Sequence, residues 1–105
     1  MLKRRSKRRY ISIFYEDVST FSAKTIKKRY CDLFGSIGVE KAAIRMVRSN
    51  ANRAIIKCKL EQLDNVLVAI TFTYPSLLVL DVSGSIKRIE LRKRELDEAN
   101  KLTTL

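Results

Sequence analysis

The order in which apolar periods change along the chain limits its fold more than any other feature. Tyr10 to Tyr15 (Tyr-Ile-Ser-Ile-Phe-Tyr) is aromatic and β-branched, a strand apolar on both faces. Glu16 to Thr20 turns the chain. From Ser22 to Phe34 the period becomes helical, with Ala23, Ile26, Tyr30, Leu33 and Phe34 in one stripe. Ser22 is placed to cap this helix and Gly35 to stop it in a left-handed conformation. Lys24, Lys27 and Lys28 lie off the stripe and make the exposed face basic.

The alternation then returns. Ala42 to Arg48 reads as a strand with Ala42, Ile44 and Met46 on one face, and Ser49 to Asn52 as a turn. Arg53 to Lys59 reads as a third strand with Ala54, Ile56 and Cys58 inward, completing a hairpin. Gln62 to Thr73 is a second helix, on the stripe Leu63, Val66, Leu67 and Ile70, and Pro75 bars its continuation. Leu77 to Val82 is a fourth strand, apolar on both faces, and Ile86 to Leu102 a charged helical tail. This order predicts an α+β fold of the split β-α-β kind (ferredoxin-like, RRM-like). A four-stranded antiparallel sheet carries two helices on one face, with a C-terminal helical extension. The doubly apolar first and fourth strands imply that the extension or a protein partner covers part of the other face. Three regions follow: a flexible basic arm over 1–9, a single α+β RNA-binding domain over 10–86 and the extension over 87–105.

Charge indicates the partner. The 105 residues hold 22 Lys and Arg, 11 Asp and Glu and no histidine, a net charge of +11. Such self-repulsion is relieved by a polyanion, so a nucleic-acid binder is expected. Without histidine, and with no paired carboxylates or activated nucleophile, no catalytic residue is assigned. Cys31 and Cys58 lie in apolar-patterned segments and read as free thiols, with too few ligands nearby for a metal. The longest apolar stretch, Val66 to Phe72, is far short of the ~20 residues of a bilayer crossing, so a cytoplasmic protein is expected with no membrane partner.

The candidate RNA-binding residues fall in three groups. Lys3, Arg4, Arg5, Lys7, Arg8 and Arg9 form the arm; Arg53, Lys57 and Lys59 share the solvent side of the hairpin; Ser83, Gly84, Ser85, Lys87 and Arg88 join the fourth strand to the tail. Solvation and protection of an edge hairpin also explain such charge, and a plain turn explains Ser83 to Ser85. The third strand lacks the aromatics on which an RNA-recognition motif stacks bases, so contact with phosphates of a folded RNA is expected instead. An acylphosphatase-like enzyme shares the gross fold, but no loop combines several glycines with an arginine. A ribosomal or ribosome-assembly protein, or a protein-interaction module with solubilising basic tails, remains an alternative.

Several segments together resemble the archaeal and eukaryotic ribonuclease P protein component 2 family. They are the basic start running into Tyr10, Leu33-Phe34-Gly35, Ala54-Ile55-Ile56-Lys57-Cys58 and Val82-Ser83-Gly84-Ser85-Ile86, within a correspondence from roughly Arg8 to Leu91. The family often has Gly and Arg where this chain has Ala54 and Lys57, and its Ser-Gly-Thr becomes Ser83-Gly84-Ser85. Lys57 keeps the charge but not the bidentate fork. The resemblance implies a subunit of the ribonucleoprotein endoribonuclease that removes the 5′ leader from precursor tRNA. Catalysis would belong to its RNA, with magnesium, and this chain would bind no cofactor. It further implies pairing with the component 3 subunit in a 2:2 heterotetramer, with a homodimer of this chain as the other possible assembly, indirect contact with precursor tRNA and an activating role.

Overall fold

The computed structural model describes residues 7–16, 21–50 and 52–103. Its strands are β1 (Arg8–Phe14), β2 (Arg45–Asn50), β3 (Arg53–Lys59) and β4 (Leu78–Ser83). Its helices are α1 (Ala23–Phe34), α2 (Ser36–Ala42), α3 (Leu63–Thr73) and α4 (Ile86–Thr103), with a 3-10 turn at Leu60–Gln62. The strands form one antiparallel sheet in the order β2-β3-β1-β4. The expected α+β, split β-α-β architecture is therefore present, extended by α2 and α4.

One face of the sheet is the core. Arg9, Ile11 and Ile13 on β1 stand opposite Cys58, Ile56 and Ala54 on β3. Ile11, Ile13, Ala54, Ile56 and Cys58 are buried against Ile26 and Tyr30 of α1 and Val66, Ala69 and Ile70 of α3. Tyr30 keeps its polar end satisfied by donating to Gln62 Oε1 at 3.1 Å, which makes a fully buried tyrosine tolerable. Tyr15, Phe21 and Tyr74 pack as an aromatic trio at the start of α1, and the Ser22 N–H donates to the Tyr74 hydroxyl at 3.0 Å. Ser22 precedes the helix as expected but makes no side-chain capping bond.

Three local expectations are corrected. The strand begins at Arg8 rather than Tyr10, so Arg8 and Arg9 belong to the sheet and not to the arm. Gly35 has φ 86° and ψ 164°, positive but outside the left-handed helical region, and it leads directly into α2. The chain from Ser36 to Ala42 is thus helical, Ala43 turns it at φ 49°, and β2 starts only at Arg45. Ala42 and Ile44 are buried as expected, but as the end of α2 and the approach to β2 rather than as strand positions. The α1 stripe is buried at Ile26 and Tyr30, while Leu33 and Phe34 at its far end stay exposed.

The opposite face carries Arg8, Tyr10, Ser12 and Phe14 of β1 beside Lys59, Lys57, Ile55 and Arg53 of β3. Helix α4 crosses this face. Ile89 is buried on it at 4% exposure, Glu90 pairs with Arg48, and Arg92 Nη1 donates to Asp81 Oδ1 at 2.6 Å. The C-terminal helix therefore covers part of the second face. Among the described residues, no helix is long and apolar enough to cross a membrane.

Candidate nucleic-acid interface

Strand register decides which cations meet. Pairing β1 with β3 sets Arg8 opposite Lys59 and Tyr10 opposite Lys57, and pairing β2 with β3 sets Arg45 opposite Lys57. Because residues directly across a ladder share a face, all five side chains stand on the open side of the sheet. Arg8, Arg45, Lys57 and Lys59 line a hollow of about 160 Å³ with Ala43 and Cys58. Arg45 and Lys57 also line an adjoining hollow of about 360 Å³, with Tyr10, Met46, Val47 and Ile86.

Among the described residues, no carboxylate lines either hollow and none of the four cations has a carboxylate partner. Like charges opposed across strands destabilise a sheet. Here two such pairs, Arg8 with Lys59 and Arg45 with Lys57, are built into its centre and edge. The rest of the open face is different, because α4 brings Glu90 to Arg48 and Arg92 to Asp81. The open face thus has an ion-paired half under α4 and an unneutralised cationic half beside it. Chemically, the second half presents the charge that an anion with several oxygens would complement.

The sequence-based candidates separate accordingly. Arg8, Lys57 and Lys59 come together, joined by Arg45 and by Tyr10 on the floor between strands. Arg53 is on the same face but lies under α4, lining the cleft that holds Ile89. Arg9 points to the core side of the sheet, where its Nη1 donates to the Arg8 carbonyl at 2.8 Å and lies against Gly84. Lys7 is exposed, and its carbonyl accepts from the Leu60 N–H at 2.8 Å. Lys3, Arg4 and Arg5 lie outside the described residues.

The Ser83 to Ser85 segment caps α4. Ser85 Oγ accepts from the Arg88 N–H at 3.2 Å, and Ser83 Oγ accepts from the Ser85 N–H at 3.3 Å. Both hydroxyls are thereby engaged at the helix start. Lys87 and Arg88 project, exposed, from its first turn. Arg45 is the site residue that the sequence reading left out of its set. The signal was there, since alternation from Ile44 and Met46 turns Arg45 outward.

The remaining reactive groups do not assemble. Burial pushes the Cys58 thiol up from 9.0 to about 11, so it stays protonated near neutral pH and is a poor nucleophile. Cys31 is a free, partly exposed thiol. No three potential metal ligands gather among the described residues. Compared with known proteins, residues 9–93 match the model of the Rpp14/Pop5 family. No curated protein matches the chain.

Proposed function

Since the chain belongs to the Rpp14/Pop5 family of ribonuclease P protein subunits, we propose that it is a component 2-type subunit that braces the catalytic RNA through phosphates held at Arg8, Arg45, Lys57 and Lys59. The observation that carries this reading is the two pairs of opposed like charges on an open sheet face, without carboxylate partners among the described residues. A phosphate backbone supplies the missing countercharge, and each phosphate neutralised releases counterions. Lys7 and, at the start of α4, the exposed Lys87 and Arg88 are proposed to add phosphate contacts, as are Lys3, Arg4 and Arg5 of the arm. In this role the protein positions and stabilises RNA, and the cut that frees the 5′ leader of precursor tRNA is made by the RNA with magnesium.

The component 3 subunit is the proposed protein partner, in a 2:2 assembly, and the cytoplasm the proposed location. Support for a protein partner comes from apolar side chains that the fold leaves uncovered, with Ile37 71% exposed beside Leu33 and Phe34. The reading is tested by filter binding of ribonuclease P RNA across a salt series. Replacing Arg8, Arg45, Lys57 and Lys59 by Gln is expected to weaken binding. It is also expected to flatten the slope of log K against log salt by about 0.7–0.9 for each phosphate that the variant no longer neutralises. An unchanged slope would remove these four residues from the interface.

A further inference from the structure

Three of the four tyrosines in the chain are held by the fold. Tyr30 donates to Gln62, and Tyr15 and Tyr74 pack their rings with Phe21. Tyr10 is the exception. Among the described residues its ring meets no other ring and its hydroxyl has no hydrogen-bond partner. Alternation along β1 sends Ile11 and Ile13 into the core and leaves Tyr10 on the open face, partly exposed. There it lines the hollow of about 360 Å³ with Arg45, Met46, Val47, Lys57 and Ile86. The sequence reading set base stacking aside because β3 has no aromatic residue, yet β1 supplies one beside it.

The lining combines two chemistries. Lys57 lies directly across from Tyr10, and Arg45 directly across from Lys57, so an aromatic ring and two cations follow one another over three strands. Met46, Val47 and Ile86 add apolar surface, and no carboxylate lines the hollow. A metal ion is repelled by both cations. An inorganic anion leaves the ring and the apolar surface unused, and an apolar side chain leaves the cations unanswered. A nucleotide within a single strand answers both, because its flat base is joined to a phosphate on either side. We propose that Tyr10 is a stacking platform for one unpaired RNA base, with Arg45 and Lys57 holding the phosphates next to it. This rests on the RNA-binding reading above and adds a base contact to its phosphate contacts. Stacking uses the π-face that every base has. The site therefore ranks bases by ring size, purine above pyrimidine, and not by their hydrogen-bonding edges.

The test is fluorescence anisotropy of the full chain with labelled ribose-phosphate pentamers that carry adenine or uracil at the centre and no other base, beside one with no base. At low salt the adenine pentamer is expected to bind about tenfold more tightly than the baseless one, with uracil between them. Tyr10→Leu keeps an apolar side chain on the strand but removes the ring, and is expected to make the three affinities equal. Tyr10→Phe keeps the ring and is expected to preserve their order. Neither change is expected to alter the slope of log K against log salt, because a stack neutralises no phosphate. Should Tyr10→Leu not fold, photo-crosslinking of a central iodouracil to the unaltered chain decides the matter, with attachment at Tyr10 expected. Equal affinities for the three pentamers, no binding to any, a preference for adenine that survives Tyr10→Leu, or crosslinking elsewhere would overturn the stack. Tighter binding of a Glu-Phe-Glu peptide than of the adenine pentamer would overturn it too, in favour of an acidic protein segment. Those outcomes leave the phosphate contacts to their own salt-slope test with ribonuclease P RNA, and an unchanged slope there would remove both.

Discussion

Lys57 shows at the scale of one residue how the proposed function opposes stability in this chain. It faces Tyr10 on one side and Arg45 on the other, in a central strand where its charge has no carboxylate partner among the described residues. Lys57→Thr keeps a strand-forming side chain and removes one of two opposed charges. The free protein is expected to gain a few tenths to about 1 kcal/mol in urea unfolding, while the RNA salt slope falls by about one. Loss of stability together with affinity would instead make the Lys57 stem a packing element. Cys58, its neighbour on the core face, carries a pH prediction. Its folded thiol titrates near 11 against an ordinary value of 9.0. Between those values the folded chain holds a proton that the unfolded chain releases, so this contribution to stability is complete below about pH 9 and fades towards pH 11. Unfolding free energies measured across pH 8–11 are expected to decline less steeply for Cys58→Ala than for the unaltered chain. Parallel declines would contradict the assignment.

At the scale of elements, Gly35 separates what was legible from what was not. Strands β1, β3 and β4 and helices α1 and α3 follow their apolar periods, and the sequence places each within about two residues. Helix α2 escaped because Ser36–Ala42 is only seven residues with a glycine inside, too short for a stripe to repeat. Its last residue, Ala42, also falls into apparent alternation with Ile44 and Met46. The junction depends on backbone conformation that periodicity does not encode. Gly35 sits at φ 86° and ψ 164°, a region essentially closed to side chains. Gly35→Ala is therefore expected to cost about 1–3 kcal/mol by urea denaturation, although nothing lies within 4 Å of the added methyl group. Gly84→Ala provides the contrast, since Gly84 lacks a positive φ and its new methyl would meet only the end of the long Arg9 side chain, at 3.1 Å. A smaller effect at Gly35 than at Gly84 would contradict this account. The shifts of register between Met46 and Arg48 and between Ser12 and Ile13 were equally hidden. One inserted residue reverses the alternation beyond it, and in segments apolar on both faces that reversal leaves no trace in the sequence.

At the scale of the molecule, the net charge of +11 points to a polyanion but to no particular face. Composition counts Arg48, Arg53, Arg92 and Lys93 with the same weight as Arg45 and Lys57. The fold distinguishes them, because α4 brings Glu90 and its own cations over one half of the sheet and leaves the other half open. The candidate site was thus legible as residue types on one side of a hairpin. Its partition needed the tertiary placement of a helix whose surface is mixed in charge along its length. The most direct measurement is to purify the tagged protein from its own cells at moderate salt and sequence the RNA recovered, beside the variant with Arg8, Arg45, Lys57 and Lys59 replaced by Gln. Enrichment of an RNA that cleaves precursor tRNA, absent from the folded variant, is the predicted result. Recovery of ribosomal RNA instead, or equal recovery by the variant, would contradict the account.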